Sequence, residues 1–388
     1  MSFSRVAISS FTERPSLAAL LVMSTVEETG GDAGPLSNDV LLVFYPFPER
    51  KEWIEHITNR FKGLRVRWVS AINPDHSVVK ATDVATELWD GVTILSTFMP
   101  PPAELIPNVR FVQVTSAGVD RWPSHPTYQN ENVRFSTSNG IHAPQIAEWV
   151  IGAWLSHQHN FLHYASNMKT GTWESPFAAR IQDSTGRRIG ILGYGAIGRQ
   201  CARLASVLGM EVYAYTRGER TTPESRKDDS YCVPGTGDPD GILPAKWFHG
   251  TSRENVNEFL AQGLDLLVIS LPLTPETRHI ISGEQFEILS KRKTFVVNIA
   301  RGGHINQEAL QKALETGQIR GAALDVTDPE PLPNDHPLWR APNLLITPHV
   351  SWKTDHLWDR LLDILELNLE KLATGKPLIN VVNRKLHY

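Results

Sequence analysis

The sequence predicts an α/β protein of two domains, each built on a parallel sheet with helices on both faces. The chain has 388 residues, which is too long for one ordinary hydrophobic core. Short apolar segments alternate with helical patterns along most of its length, as in sheets whose parallel strands are joined by helices. A helical segment follows the last strand, and we expect it to return to the first domain, which would then be discontinuous in sequence.

The first sheet is predicted to begin with an apolar run that two prolines end. The expected elements are strands at 39–45, 66–69, 92–96 and 109–114 and a helix at 53–60. The last of these strands leads into loop 115–120, whose small residues can bring backbone N–H groups to an anion. Residues 143–162 are predicted as one long helix, followed by an irregular link at 167–177.

The second sheet is expected between about residue 187 and residue 349, and its alternation is typical of a doubly wound fold. Its expected strands are 188–193, 211–216, 265–272, 294–300, 321–326 and 344–347, with helices at 198–208, 282–289 and 307–315. Residues 221–244 are rich in Pro, Gly, Asp and Ser and are predicted to form a surface insertion. The final helix is predicted over 355–374, where leucine and isoleucine recur at helical spacing.

These patterns give the expected domain boundaries. Residues 1–38 would be a poorly ordered tail, residues 39–160 and 352–388 the first domain, and residues 161–351 the second. We expect a cytoplasmic protein. The basic, serine-containing start of the chain weakly resembles a mitochondrial transit peptide, so a mitochondrial location stays open.

Composition excludes several classes of function. The formal net charge of −4 argues against a general nucleic-acid binder, which would carry a basic surplus. The chain lacks an apolar run of the length that spans a bilayer, so no membrane partner is expected. Two cysteines, Cys201 and Cys232, do not make a disulfide framework and favour a reducing compartment.

A glycine-rich turn predicts a dinucleotide site. The sequence G-Y-G-A-I-G at 193–198 follows an apolar strand and opens a helix, which is the context that this motif requires. The helix N-terminus would offer free N–H groups to a pyrophosphate. The residues expected at that phosphate are Gly193, Gly195, Ala196, Ile197 and Gly198.

The end of the next strand indicates which dinucleotide binds. An acidic side chain there would accept a hydrogen bond from the ribose 2′-OH of NAD. This chain instead has Thr216 and Arg217, with Arg220 nearby. Because arginine pairs well with a 2′-phosphate, NADP(H) is favoured, and NAD(H) remains the alternative.

Three further residues suggest chemistry on a keto acid. Arg301 follows an apolar strand, at the sheet edge where ligands bind, and its guanidinium could hold a carboxylate and polarise a keto oxygen. His349 ends a later strand, and histidine is the side chain best suited to proton transfer near neutrality. Glu330 is the expected carboxylate partner of that imidazole. These are the candidate catalytic residues, and no metal site is expected.

The combined motifs resemble the D-isomer-specific 2-hydroxyacid dehydrogenases. The similarity rests on the glycine turn, the Arg301 segment, the D-V…E-P segment at 325–331 and the T-P-H sequence at 347–349, and it covers the chain after about residue 40. It implies a Rossmann-like cofactor domain and a flavodoxin-like substrate domain. It also implies that Arg301 orients the keto acid, that His349 is the general acid and base, and that Glu330 holds His349.

The same resemblance implies further contacts. Asp325 would contact the nicotinamide amide, and the loop residues Ser116, Ala117 and Gly118 would bind the substrate carboxylate through backbone N–H groups. The remaining residues expected along the cofactor are Leu271, Pro272, Thr277, Ile299, Ala300 and Ser351, together with Arg301 and His349. Family members usually form dimers through the cofactor domain, so a homodimer is expected.

The sequence therefore predicts an NADPH-preferring reductase of a small 2-keto acid, such as glyoxylate or hydroxypyruvate, that yields the D-hydroxy acid. The main alternative is a corepressor-like protein that senses a dinucleotide and turns over slowly. The arginines at 217 and 220 count against it, because NAD sensing favours an acid there. A hydrolase with bound NAD, like adenosylhomocysteine hydrolase, is less compatible with Arg301 and the His349/Glu330 pair.

Overall fold

A computed structural model describes residues 34–75, 77–177 and 181–385. The expected N-terminal tail, with its possible targeting segment, lies outside the described residues as far as residue 33. The remainder of that tail does not match the prediction. Residues 35–38 form a turn, and Leu36 is buried in the core of the first domain, with 1% of its surface exposed. Ordered chain therefore begins before residue 39.

The first sheet has five parallel strands, one more than predicted. They are β1 (Val40–Tyr45), β2 (Arg65–Ser70), β3 (Ile94–Thr97), β4 (Phe111–Val114) and β5 (Arg134–Thr137). Their order is β2-β1-β3-β4-β5. The sequence pattern did not predict β5, because its four residues R-F-S-T contain a single large apolar side chain.

The second sheet has seven parallel strands and corresponds to the predicted doubly wound unit. They are β6 (Arg188–Leu192), β7 (Glu211–Thr216), β8 (Lys246–His249), β9 (Leu266–Ile269), β10 (Phe295–Asn298), β11 (Gly321–Leu324) and β12 (Leu344–Ile346). Their order is β12-β11-β10-β9-β6-β7-β8. Strand β8 was not predicted. It is a partly exposed strand at the edge of the sheet, where it pairs with β7. In sequence it lies between β7 and β9, after the expected insertion.

Helices cover both sheets and bury apolar side chains against them. Their bounds are α1 (Lys51–Arg60), α2 (Pro126–Gln129), α3 (Ala143–Gln158), α4 (Phe161–Thr170), α5 (Ala196–Val207), α6 (Pro223–Arg226), α7 (Arg253–Leu260), α8 (Gly283–Ser290), α9 (Gln307–Glu315) and α10 (Leu357–Ala373). Together with the two parallel sheets they confirm the predicted two-sheet α/β fold. Among the described residues, no helix is both long and apolar enough to cross a bilayer.

The helix predicted over 143–162 differs from the structure in two ways. It ends at Gln158, because Asn160 adopts a left-handed conformation with φ of 55°, and α4 then continues to Thr170 through part of the expected irregular link. In addition, α3 packs against the second sheet, where Val150 and Trp154 join the core around α5. Its packing thus associates it with the second sheet, although we had expected it in the first domain.

Helix α10 returns to the first sheet. Leu361, Ile364 and Leu365 are completely or almost completely buried among side chains of β1 and α1. The chain then pairs through Val381 with Ser136 of β5. The last described segment therefore reaches the carboxyl end of the first sheet, close to the cleft described below.

Candidate active site

A cavity of about 570 Å³ lies at the carboxyl ends of the second sheet. Its wall includes the glycine turn after β6, the end of β7 and the loop after β9. Five residues of the first domain complete it, namely Ala117, Thr137, Asn139, Asn380 and Val381. A crevice at this edge of a doubly wound sheet is where such folds bind dinucleotides.

The glycines of the turn are required by close packing. Gly193 has a φ of +108°, and a Cβ there would lie 2.7 Å from the Ser270 carbonyl oxygen. A Cβ on Gly198 would lie 2.4 Å from the carbonyl oxygen of Gly193. Gly195 precedes α5 and has open space around it, which leaves room for a phosphate against the helix N-terminus. The turn therefore fits a dinucleotide pyrophosphate.

The predicted ribose-end residues all line the cavity. Thr216 donates its hydroxyl hydrogen to the Gly218 carbonyl, and Arg220 donates to the Ser225 carbonyl of α6. Arg217 lies close enough to Glu276 to contribute to its low pKa, which results first from a hydrogen bond with Thr274. This end of the cavity is thus cationic, with one carboxylate facing it.

The loop after β9 forms the opposite wall, as the resemblance implied. Leu271, Pro272 and Thr277 all line the cavity. The Thr277 hydroxyl donates to the Pro272 carbonyl at 2.8 Å and accepts from the Thr274 backbone N–H at 2.8 Å. These bonds fix the loop in one shape. Glu276 and Ser270, which the sequence pattern did not single out, belong to the same wall.

His349 and Glu330 form the expected pair. His349 Nδ1 lies 3.0 Å from Glu330 Oε2, and both side chains are about two-fifths exposed. The other carboxylate oxygen of Glu330 accepts a hydrogen bond from the Thr327 backbone N–H at 3.1 Å. Burial alone would raise the pKa of Glu330, but the hydrogen bond and charge of His349, the backbone N–H of Thr327 and the charge of Arg301 together lower that pKa. Glu330 therefore stays ionised and orients the imidazole.

The turn that carries His349 is held by Asp325. This carboxylate is buried and accepts hydrogen bonds from the Thr347 hydroxyl and from the backbone N–H groups of Val350 and Ser351, the last two at 2.9 Å. His349 itself has a φ of +52°, a conformation that such bonds must stabilise. The structure thus gives Asp325 a role in the His349 turn that the sequence pattern did not show, and its contact with nicotinamide remains a prediction.

Arg301 reaches across from the second sheet to the first. Its Nε and Nη2 atoms lie 3.3 and 2.6 Å from the two carboxylate oxygens of Asp120, and its Nη1 donates to the Ala300 carbonyl. Asp120 ends the loop 115–120, within which Ser116 donates to the Gly118 carbonyl at 2.6 Å. The structure therefore places Arg301 against the predicted substrate loop. Ala117 of that loop lines the cavity, whereas Arg301 lies outside its lining.

Ile299, Ala300 and Ser351, which were also predicted to contact the cofactor, do not line the cavity. The side chains of Ile299 and Ala300 pack in the cores on opposite faces of the second sheet, so their contact with a cofactor would come from backbone atoms. Ser351 is buried beneath the His349 turn. His304, which we did not predict, lies behind Arg301 with Nδ1 3.0 Å from the Arg301 carbonyl oxygen and Nε2 3.2 Å from the Pro272 carbonyl oxygen. Burial lowers the pKa of its imidazole, so the neutral ring donates a hydrogen bond to one of these two carbonyls.

The expected surface insertion is partly buried. Asp238 accepts hydrogen bonds from the Tyr194 hydroxyl at 2.7 Å and from two backbone N–H groups, and only 4% of its surface is exposed. Arg199, on the first turn of α5, donates to the Asp238 and Arg226 carbonyls and forms an ion pair with Asp228 at 3.2 Å. The rest of residues 221–244 is largely exposed or partly exposed, as predicted for a surface segment, but these polar groups hold it against the start of α5.

Burial changes the pKa of two further side chains. His142 lies at the start of α3, where burial lowers the pKa of its imidazole to about 4, so it is neutral near pH 7. Burial raises the pKa of the Cys201 thiol to about 12, which makes it unreactive. In the part of the chain that the structure describes, no group of His, Cys, Asp and Glu is arranged to hold a metal.

Comparisons with known proteins indicate the family of this chain. The model of the NAD-binding domain of the D-isomer-specific 2-hydroxyacid dehydrogenases matches residues 151–234 and 244–351. A hydroxypyruvate reductase of Blautia hydrogenotrophica is 28% identical over 332 residues, or 84% of this chain and 95% of the relative. The chain belongs to the D-isomer-specific 2-hydroxyacid dehydrogenase family. Its nicotinamide-dependent chemistry interconverts 2-keto and 2-hydroxy acids.

Other members are similar over nearly the whole chain. Glyoxylate/hydroxypyruvate reductase A of Serratia proteamaculans is 28% identical over 357 residues, or 90% of this chain and 99% of the relative. A D-isomer-specific 2-hydroxyacid dehydrogenase of Xanthobacter autotrophicus, solved with NADPH and MES, is 27% identical with a TM-score of 0.67, over 90% of this chain and 99% of that one. The family model leaves residues 235–243 unmatched, which is the stretch that contains the buried Asp238.

Proposed function

We propose that this dehydrogenase reduces a small 2-keto acid of the glyoxylate or hydroxypyruvate type to the D-2-hydroxy acid, with NADPH as the preferred reductant. The observation that carries the proposal is the 3.0 Å pairing of His349 with Glu330 at the same sheet edge as Arg301. A proton donor and a carboxylate-binding guanidinium are the groups that hydride addition to a 2-keto acid requires.

Each residue has a defined part in this reaction. Bound NADPH supplies the hydride. Arg301 binds the substrate carboxylate and stabilises charge that develops on the keto oxygen, together with backbone N–H groups of Ser116, Ala117 and Gly118. His349 gives its proton to that oxygen during reduction and takes it back during oxidation, while Glu330 fixes the imidazole in position.

The preference for NADPH is proposed from the charges at the ribose end. β7 ends in Thr216 rather than an acid, and Arg217 and Arg220 line the cavity beyond it. Replacement of Arg217 by Ala should raise the KM for NADPH about tenfold or more and change the KM for NADH little. Equal changes in both constants would mean that Arg217 does not bind the 2′-phosphate.

We also propose that the protein is a homodimer. Helix α4 and the segment after it expose large apolar side chains, including Met168, Trp173 and Phe177, which are 82%, 96% and 93% exposed. An apolar surface of this kind usually marks a protein–protein contact. Helix α4 contacts α3, which packs against the second sheet, and this agrees with a dimer formed through the cofactor domain.

A cytoplasmic location is proposed on chemical grounds. Cys201 and Cys232 are both free thiols, as expected in a reducing compartment. Fractionation of cells that express the full chain with a C-terminal tag tests this, and recovery in mitochondria without an N-terminal segment would overturn it.

The direct test is the loss of NADPH and NADH absorbance at 340 nm with glyoxylate, hydroxypyruvate, pyruvate and a bulkier 2-keto acid. The proposal predicts turnover of the small substrates, faster with NADPH than with NADH. No turnover in any combination, together with tight dinucleotide binding, would favour the corepressor-like alternative instead.

A further inference from the structure

A carboxylate of the protein already holds the arginine that is proposed to bind the substrate. Asp120 and Arg301 are 181 residues apart and come from different sheets, yet they pair through two hydrogen bonds. The pair lies directly against Gly118, since a Cβ there would be 2.7 Å from Asp120 Oδ2 and 3.0 Å from Arg301 Nη2. This places Asp120 beside the proposed position of the substrate carboxylate.

The pairing leaves part of the guanidinium free. Arginine has five N–H groups. In Arg301, Nε and one Nη2 hydrogen bind Asp120, and one Nη1 hydrogen binds the Ala300 carbonyl. One hydrogen therefore remains on each terminal nitrogen. These two donors suffice for a single substrate carboxylate or keto oxygen, so Asp120 does not block the arginine but neutralises it.

The surrounding charges disfavour a second anionic group. Burial would raise the pKa of Asp120, but the hydrogen bond and charge of Arg301 lower it, so Asp120 stays ionised at neutral pH. Glu330 is a second ionised carboxylate close enough to Arg301 to be affected by its charge. Arg121 is a further cation near Asp120, but its guanidinium stacks over Phe98, 5.5 Å from the ring centroid. Arg301 is therefore flanked by two carboxylates.

We propose that Asp120 determines charge specificity and restricts the site to 2-keto acids with a single carboxylate. A monoanionic substrate uses the two free donors of Arg301, whose charge Asp120 already balances. A dianionic substrate brings a second carboxylate next to Asp120, whose negative charge repels it. Glu330 contributes less to this repulsion, because His349 pairs with it at 3.0 Å. This inference rests on the proposed function, and it adds a residue whose role the family motifs do not supply.

Binding of two matched inhibitors tests the inference without turnover. Oxamate is a monoanion and oxalate a dianion of nearly the same shape, and their dissociation constants from the NADPH complex can be measured by fluorescence. Asp120→Asn should shift the ratio of the two constants about tenfold in favour of oxalate, which is the effect of removing one charge roughly 6 Å away at an effective dielectric constant of about 40. Asp120→Glu keeps the charge and should leave the ratio unchanged.

Kinetics provide the second readout and the controls. The ratio of kcat/KM for oxaloacetate to that for 2-ketobutyrate, which has the same number of carbons, should rise about tenfold in Asp120→Asn. Asp83→Asn, which removes an exposed carboxylate far from the pair in sequence, should behave as wild type. If Asp120→Asn weakens both inhibitors and both substrates equally, Asp120 only supports Arg301 and the inference is wrong. If wild type reduces no 2-keto acid, the proposed function fails, while the inhibitor ratio still decides the role of Asp120.

Discussion

At the scale of single residues, the ionisation of Glu330 makes the stability of the fold depend on pH. Its pKa lies below the ordinary value of 4.5, because the contributions of His349, Thr327 and Arg301 together outweigh the effect of burial. A lowered carboxyl pKa stabilises the fold above about pH 4.5, and this stabilisation is lost as the pH falls through the lower folded-state value. Glu330→Gln should therefore lower Tm by roughly 1–3 °C near pH 7, since both side chains are partly exposed and screened.

Measuring Tm at several pH values tests this prediction. Thermal unfolding of wild type and Glu330→Gln should show a difference that shrinks below about pH 4. Glu131→Gln, on an exposed carboxylate, is the control and should leave Tm unchanged. A difference that grows as the pH falls would contradict the assignment of Glu330 as an ionised partner of His349.

At the scale of elements, the turn after β12 positions the imidazole through Asp325. Asp325→Asn replaces one acceptor oxygen with a donor, which cannot bind the backbone N–H groups of both Val350 and Ser351. We expect kcat to fall ten- to a hundredfold, because small displacements of a catalytic group are costly. Thr347→Val removes a single bond and should cost less, so an equal or larger loss in that variant would count against this account.

The expected insertion at 221–244 also packs closely against the first domain. Gly140, between β5 and α3, has a φ of +96°, and a Cβ there would lie 1.9 Å from the Tyr231 carbonyl oxygen. Gly140→Ala should reduce the free energy of unfolding by about 3 kcal/mol or more, because it combines backbone strain with a clash. Chemical denaturation measures this. Gly152→Ala, in open space on α3, is the matched control and should stabilise by about 0.5–1 kcal/mol.

The elements also show what the sequence could predict. Strands β1, β6 and β10 consist mainly of apolar residues, so pattern alone located them, and the glycine turn was recognisable from its context. Strands β5 and β8 were missed because they are short and carry polar or charged residues, and their pairing partners stabilise them instead. The helix break at Asn160 could not be predicted, because no proline or glycine lies there.

Long-range pairing explains the site residues that the sequence did not reveal. Arg301 and His349 each follow a strand end, Glu330 lies in the loop after β11, and all three belong to recognisable motifs. Asp120 was visible as a loop residue, but its partner lies 181 positions away. The contact of Tyr231 with Gly140 likewise depends on how two domains meet. No local pattern encodes such contacts, because they depend on the packing of distant segments.

At the scale of the whole molecule, the exposed apolar side chains of α4 and the segment after it, here called the apolar arm, predict the oligomeric state. The double variant Met168→Glu with Trp173→Glu should convert the proposed dimer to a monomer, because it places charge on the surface that would be buried. Sedimentation analysis measures the mass. Val207→Glu is the control, since that residue is 83% exposed on α5, outside the arm. A wild-type monomer, or a dimer that survives the double variant, would contradict the proposed interface.

The central claim is that His349 transfers the proton during reduction of a 2-keto acid, and one measurement tests it most directly. Single-turnover oxidation of bound NADPH by hydroxypyruvate is followed in wild type and in His349→Gln, with both enzymes saturated by cofactor. The account predicts a rate loss of about 10²–10⁴-fold in the variant, with the dissociation constant for NADPH unchanged. Near-normal turnover of the variant at every pH would contradict it.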